Sequence, residues 1–287
     1  MVKDHKRITL NEALQKASFF LNQQGFDPSL ARHYWMELFD WDLTRIIQSL
    51  NQPISNAQVL KFEKALSRIV EDEPIQYIRG YAYFMDHIYH VSPACLIPRE
   101  ETAGLVDKAV KYMAPLPPGK VLDLGTGSGI IAIELKKALP DWEVYASDLS
   151  SAALKIASRN AADHQVKINF IQSDLFSALD QDLCFDVLVS NPPYIGKNEV
   201  ELMDASVKKY EPQLALYAKE EGLAIYKQIA NHLPQRLMKK GAAFFEIGFS
   251  QGQAVKNIFQ AAFPASDIQI GRDFADKERY ISMMKEG

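Results

Sequence analysis

Lys120-Val121-Leu122-Asp123-Leu124-Gly125-Thr126-Gly127-Ser128-Gly129-Ile130 runs from a short apolar strand pattern through a glycine-rich turn into a helical stretch. Glycine at such a turn lets the backbone bend sharply and lets a ligand approach with no Cβ in the way. A dinucleotide fingerprint would place a small residue at position 130, and Ile130 stands there, which argues against a nicotinamide oxidoreductase. Asp148 ends the next strand pattern, at the distance of about 20 residues that suits a carboxylate accepting from ribose hydroxyls.

Outward from this turn the rhythm is strand, turn, helix. Strands are predicted at Lys120–Leu124, Glu143–Ala146, Lys167–Ile171, Phe185–Val189 and Ala242–Ile247, with Ile268–Gly271 and Arg279–Met284 as edge additions. Apolar runs separated by helices imply an α/β fold, a mostly parallel sheet with helices on both faces. Pro115, Pro117, Pro118 and Gly119 punctuate the chain ahead of it, so this domain spans 119–287.

Three acids surround the turn: Asp123 before it, Asp148 on the second strand and Asp174 after the third. They would repel a pyrophosphate and attract S-adenosylmethionine, which carries an ammonium and a sulfonium and no phosphate. The cofactor contacts are therefore assigned to Asp123, Gly125, Thr126, Gly127, Ser128, Gly129, Asp148, Asp174 and Leu175, with Asn191 adjoining. Phe176 is a second candidate beside the adenine. No residue cluster has metal-ligand spacing, and His87 and His90 are expected to be structural or solvated.

After the fourth strand comes Ser190-Asn191-Pro192-Pro193-Tyr194-Ile195. In open α/β sheets ligands bind beyond the carboxyl ends of the strands, which places this loop and the glycine turn in one crevice. Two prolines remove amide donors and leave carbonyl acceptors, Asn191 adds a side-chain oxygen, and Tyr194 adds a flat apolar face. Such a set suits a planar NH2 group, one hydrogen going to Asn191 and the other to the Pro192 carbonyl. Two fixed acceptors stabilise the positive charge that grows on a delocalised nitrogen as it attacks a sulfonium methyl. Asn191, Pro192 and Tyr194 are the catalytic candidates, and they bind substrate together with Pro193 and Arg99.

Residues 1–73 are predicted to be helical. Thr9 to Glu12 fits a capping box ahead of Leu14, Ala17 and Leu21, with Gly25 as the stop. Asp27-Pro28 reads as the start of a second helix bearing Trp35, Leu38 and Phe39. Ser55 heads a third with Val59, Phe62, Leu66 and Ile69 on its inner face. Nine basic and ten acidic residues over this stretch fit protein docking better than a nucleic-acid grip. Residues 74–118 form a linker, with a β-hairpin turning at Asp86-His87 and a helix ending near Met113.

The 287 residues hold 47% hydrophobic and 24% charged side chains, the composition of an ordinary globular protein. Two cysteines, Cys95 and Cys184, exclude a disulfide framework and indicate a reducing, cytoplasmic setting. No apolar run reaches the 18 or so residues of a membrane span, and Met1–Leu10 lacks the apolar stretch of a signal peptide. The net charge of −4 argues against nucleic acid as a direct partner.

The glycine turn paired with the Asn191 loop resembles class I, Rossmann-like S-adenosylmethionine-dependent N-methyltransferases, a pairing shared with enzymes that methylate base amines. Pro74-Ile75-Gln76-Tyr77-Ile78-Arg79-Gly80, Ile97-Pro98-Arg99-Glu100-Glu101-Thr102, Glu211-Pro212, Ala215-Leu216, Gly222-Leu223 with Tyr226, and Glu246-Ile247-Gly248 with Gln251 narrow it. Together they resemble the glutamine N5-methyltransferases of peptide chain release factors, over essentially the whole chain. The resemblance implies transfer to the side-chain amide of the glutamine in the Gly-Gly-Gln loop of class 1 release factors, with S-adenosylhomocysteine as product. It also implies that the N-terminal bundle docks that substrate. Glutamine methylation of a ribosomal protein and N-methylation of a base amine in DNA or rRNA are the alternatives. Glu100 replaces a proline of the family pattern, and Leu175 stands where the family often places an aromatic near the adenine.

Overall fold

Thr9 and Ser55 each open a helix through a reciprocal pair of hydrogen bonds in the computed structural model, which describes residues 8–196, 200–201 and 203–286. The Thr9 hydroxyl accepts from the Glu12 amide while the Glu12 carboxylate accepts from the Thr9 amide at 2.7 Å; Ser55 and Gln58 repeat the arrangement. These bonds satisfy donors that a first turn leaves unpaired. They start α1 (Leu10–Gln23) and α4 (Asn56–Ile69), which bury Leu14, Ala17 and Leu21, and Phe62, Leu66 and Ile69.

α2 (Leu30–Phe39) begins two residues later than Asp27-Pro28 predicts, because Asp27 Oδ1 accepts from the Ser29 amide at 2.8 Å in a turn that precedes the helix. α3 (Leu43–Ser49), capped by Asp42, is too short to show a period and buries only Ile46. α5 (Ile75–Arg79) follows Pro74 and ends at Gly80. Trp35 is fully buried, with the rings of Phe39, Phe62 and Trp41 centred 4.4, 4.9 and 5.8 Å away. Arg79, almost wholly buried, pairs with Glu37 at 2.7 Å.

The chain divides into two units, one running to Gly80 and taking in α9 (Ala205–Tyr210), the other holding Tyr81–Asp204 and Glu211 onward. The helical unit thus extends beyond residue 73, since α5 packs on α2 and α4. α9 joins it through Lys209 and Tyr210, which donate to the Glu71 carbonyl at 2.7 and 2.9 Å.

The second unit opens with β1 (Tyr81–Phe84) and β2 (His87–His90), an antiparallel hairpin. Its turn is Met85-Asp86, both at positive φ, so the expected turn moves one residue back and His87 begins β2. His90 and His164 tie the hairpin to α8 (Ser151–Asp163): His90 faces Asp163 at 2.9 Å, and His164 meets the Ile88 carbonyl at 2.9 Å. After α6 (Glu101–Met113) come β3 (Lys120–Leu124), α7 (Ile130–Ala138), β4 (Glu143–Asp148), β5 (Asn169–Gln172) and β6 (Phe185–Ser190). Then follow α10 (Gln213–Leu216), α11 (Ala224–Arg236), β7 (Leu237–Glu246), α12 (Gly252–Ala262), β8 (Asp267–Arg272) and β9 (Glu278–Met284).

The seven strands lie in the order β5-β4-β3-β6-β7-β9-β8, parallel from β5 to β7 and antiparallel at β9 and β8. β7 starts five residues before the predicted Ala242, because Met238, Lys239 and Lys240 are exposed and carry no apolar alternation. Side chains alternate between two cores. Val121, Val187 and Phe244 meet α6 and α7 on one face; Leu122, Leu188 and Phe245 meet α11 and α12 on the other. The parallel strands β3, β4, β5 and β6 therefore all end on the same side, and the loops after them meet there. Among the described residues no helix is long and apolar enough to cross a membrane.

Trp35 offers a graded test of the helical unit. Its Nε1 has no hydrogen-bond partner among the described residues. Trp35→Phe keeps most of the ring and removes that donor, whereas Trp35→Ala leaves a cavity and should cost about 3–5 kcal/mol. Urea unfolding followed by circular dichroism should rank wild type and Phe close together and Ala far below; equal losses would refute this account.

Candidate active site

Where β3 ends, Gly125 and Gly127 both take positive φ, +76° and +55°, and a Cβ on either would meet nothing within 4 Å. The turn is held from beneath. Asp123, fully buried, accepts through Oδ2 from Thr126 Oγ1 at 2.6 Å and from the Ala132 amide at 3.2 Å. From the side, Asp148 accepts through Oδ2 from the Gly127 amide at 2.9 Å and through Oδ1 from the Ser150 amide at 2.8 Å. The Ser128 carbonyl accepts from Asn160 Nδ2 at 2.8 Å, which ties the turn to α8.

The turn forms one wall of a cavity of about 360 Å³. Gly125 to Ser128, Asp148, Asp174 and Leu175 line it, as do Asn191, Pro192 and Pro193 from the loop after β6. A cavity of this size takes a small organic molecule. Leu175 adopts a left-handed backbone, φ +48°, a conformation that costs an ordinary side chain about 1–3 kcal/mol and is concentrated at functional sites.

Four sequence assignments change position. Asp123 does not line the cavity; it lies under the turn and shapes it. Gly129 is also off the wall, opening α7 at φ +87°. Phe176 is buried in the core formed with α11, so Leu175 alone of that pair reaches the wall. Tyr194 is not among the residues that line the cavity: it is partly buried against the same core, and its carbonyl accepts from Gln251 Nε2 at 2.8 Å. Gly222 permits that close approach, since a Cβ there would stand 1.9 Å from the Tyr194 oxygen.

Arg99 is on the wall with its guanidinium in an ion pair, 2.6 Å from the buried Glu211, whose other oxygen accepts from the Ile97 amide at 3.2 Å. That carboxylate anchors the segment Pro93–Arg99, a wall of the cavity whose last three residues open the Ile97–Thr102 motif. Sequence reading gave no role to Glu211, Thr102 or Glu246, although all three sit in the short motifs quoted above. Thr102 Oγ1 donates to Glu246 Oε2 at 2.7 Å and accepts from Asn191 Nδ2 at 3.3 Å. Ser190 Oγ donates to the Leu124 carbonyl at 2.6 Å, fastening the Asn191 loop to the end of β3.

Burial pushes the Asp123 carboxyl up to about 7, against the hydrogen bonds from Thr126 and Ala132. Burial likewise pushes Glu246 up to about 7 and raises Tyr194, which also faces Glu246.

Residues 104–214 match the family described as Methyltransferase small domain, and residues 12–80 match PrmC N-terminal domain. A Staphylococcus aureus protein named release factor glutamine methyltransferase is 35% identical over 276 residues, 96% of this chain and 99% of its own. A Lactococcus lactis protein of the same name is 40% identical over 257 residues, 90% and 94% of the two chains. The chain belongs to the release factor glutamine methyltransferase family. Among solved structures, the hMettl16 catalytic domain in complex with MAT2A 3'UTR hairpin 6 aligns at a TM-score of 0.54, with 14% identity and 80% and 82% coverage. The T. Thermophilus 16S rRNA N2 G1207 methyltransferase RsmC aligns at 0.51, with 16% identity and 72% and 50% coverage. At such identities the likeness is one of fold. At the position where the family pattern has proline, Glu100 is exposed with φ −62°, a value proline also takes.

The raised carboxyls make stability depend on pH. An unfolded Asp loses its proton near 4, so between about pH 4 and 7 the folded chain holds protons that the unfolded chain has released. Stability contributed by Asp123 and Glu246 is therefore present at low pH and falls as pH rises through about 7. Asp123→Asn keeps an acceptor for Thr126 and Ala132 and cannot ionise. Its urea midpoint should drop less between pH 5 and pH 8 than that of wild type; an equal drop would show that Asp123 does not titrate in this window.

Proposed function

We propose that this chain transfers a methyl group from S-adenosylmethionine to the side-chain amide nitrogen of the glutamine in the Gly-Gly-Gln loop of class 1 release factors. One observation carries the proposal: a single cavity joins the open glycine turn with Asp148 to the Asn191–Pro193 stretch. The family membership supports the substrate class. The helical unit, matching PrmC N-terminal domain, is assigned to docking the protein substrate.

The donor set fits the proposed cofactor. Asp148 and Asp174 line the cavity, and its one basic residue among the described ones, Arg99, is paired with Glu211. That balance suits a ligand with ammonium and sulfonium charges and no phosphate. Gly125, Thr126, Gly127, Ser128, Asp148, Asp174 and Leu175 would hold it, with Asp123 and Gly129 shaping the turn from outside the wall. S-adenosylmethionine supplies a methyl group made electrophilic by the positive sulfur to which it is bonded.

Asn191 and Pro192 do the work on the acceptor. A glutamine amide nitrogen is a poor nucleophile because its lone pair is delocalised into the carbonyl. The Asn191 side-chain oxygen and the Pro192 carbonyl would each accept one of its N–H bonds and stabilise the charge that grows on nitrogen as the new C–N bond forms and the S–CH3 bond breaks, with S-adenosylhomocysteine leaving as a neutral thioether and the methylated nitrogen giving up one proton to water. Holding the nitrogen still lowers the entropic part of the barrier. Tyr194 serves as a strut, fixing the loop against the core.

Transfer of labelled methyl to a panel of purified release factor, ribosomal protein, DNA and rRNA, with the labelled atom mapped, tests the assignment. Label on the release factor glutamine is expected; label confined to another substrate would overturn it. Asn191→Ala should lower kcat about a hundredfold, the loss of one transition-state hydrogen bond, with cofactor affinity nearly intact. Asp148→Ala should weaken S-adenosylmethionine binding by about 1–3 kcal/mol in calorimetry. Undiminished binding would remove Asp148 from the cofactor site.

A further inference from the structure

Asn191 can serve the proposed reaction in one orientation only. Its oxygen has to meet the substrate NH2; turned over, its own NH2 would face another donor. Two side chains decide which way it lies. Glu246, the buried last residue of β7, accepts from Thr102 Oγ1 at 2.7 Å. That bond commits the single hydroxyl proton of Thr102, so towards Asn191 the hydroxyl can only accept, and Asn191 Nδ2 donates to it at 3.3 Å. Asn191 Oδ1 makes no hydrogen bond among the described residues and remains the free acceptor of a side chain on the cavity wall.

We propose that Glu246 and Thr102 are positioning residues that set the Asn191 amide with its oxygen toward the substrate, a role that rests on the methyl-transfer function proposed above. Neither touches the reacting atoms in this scheme. Thr102 acts through its hydroxyl and Glu246 acts through Thr102, so the charge state of a carboxylate at the end of β7 governs the loop after β6.

The groups facing Glu246 define how it responds to pH. β9 contributes Arg279, itself paired with Asp273 at 3.1 Å, and Tyr280. α6 contributes Glu101 and Thr102, the loop after β6 contributes the Tyr194 hydroxyl at 3.5 Å, and α11 contributes Tyr226, which donates to the Glu246 carbonyl at 2.6 Å. Burial outweighs the Thr102 hydrogen bond and Arg279, and the carboxyl is pushed up to about 7. Once protonated, Glu246 can supply the proton in its bond with Thr102. The threonine hydroxyl is then released to donate to Asn191, which favours the turned-over amide. The charged form of Glu246 is the competent one.

The experiment measures kcat for methyl transfer to purified class 1 release factor from pH 6 to 8, with cofactor affinity by calorimetry on the same samples. Wild type should show kcat rising with pH through about 7. Thr102→Val, which keeps the shape and removes the hydroxyl, should lose about tenfold to a hundredfold in kcat and lose the rise, with cofactor affinity within about twofold. Thr102→Ser restores the hydroxyl and should keep both rate and rise. Glu246→Gln should flatten the profile, and combining it with Thr102→Val should be no worse than the poorer single variant, since both act through Asn191. Undiminished kcat in Thr102→Val, an equal loss in Thr102→Ser, or additive losses in the double variant would overturn the relay. If Thr102→Val does not fold, the profiles of wild type, Thr102→Ser and Glu246→Gln decide the matter. A wild-type enzyme that transfers no methyl to release factor would instead defeat the proposed function itself, a result distinct from all of these.

Discussion

The buried Asp123 carboxylate is the interaction on which the cavity depends. Glycines at positive φ lose more conformational freedom on folding than other residues, so a turn containing Gly125, Gly127 and Gly129 does not hold its shape unaided. Asp123 Oδ2 takes one bond from Thr126 within the turn and one from Ala132 in the first turn of α7. It thereby ties strand, turn and helix into one unit, at the cost of burying a carboxyl with Oδ1 unpartnered among the described residues. Raising the affinity of that carboxyl for a proton is the physical response to this cost. Asp148 then presses on the turn from β4, and the shape of the wall follows from two carboxylates that hold backbone amides.

The parallel sheet was legible because Val121, Leu122, Val187 and Leu188 sit in runs buried on both faces, where apolar continuity is the signal. The glycine turn and the Asn191 loop were legible for a different reason: their residue types are demanded by backbone geometry and by acceptor chemistry. What escaped the sequence depended on distant partners. Nothing near Arg99 in the sequence foretells its partner Glu211, more than a hundred positions later and 2.6 Å away. Nor does the sequence show that Tyr194 lies against the core formed with α11 and that Gln251 holds its carbonyl. Short helices such as α3 and the exposed start of β7 carried too little periodicity to be seen.

The ties that shape the cavity share a design. Glu211 holds the segment Pro93–Arg99, Glu246 reaches the Asn191 loop through Thr102, and Gln251 holds the Tyr194 carbonyl. Each is a mostly buried polar group placed by one element and spent on the backbone or side chain of another. In a low-dielectric interior such bonds are strong when satisfied and costly when broken, so they fix positions that loops alone would leave variable. The prolines at 192 and 193 reduce the number of such bonds required, because they restrict the loop before any partner arrives.

The neutrality of Asn191 follows from the charge on the donor it would serve. An aspartate at that position would offer stronger acceptors, but it would also attract a sulfonium before any reaction, stabilising the bound ground state along with the transition state. Binding both states equally lowers no barrier for the chemical step. A neutral amide oxygen interacts weakly with the resting nitrogen and more strongly as positive charge builds there, so its stabilisation is concentrated where it accelerates transfer. The carboxylate charge is kept one residue further back, at Glu246, where Thr102 stands between it and the amide. There it orients the acceptor without competing for the cation, which is the division of labour that methylating a conjugated nitrogen calls for.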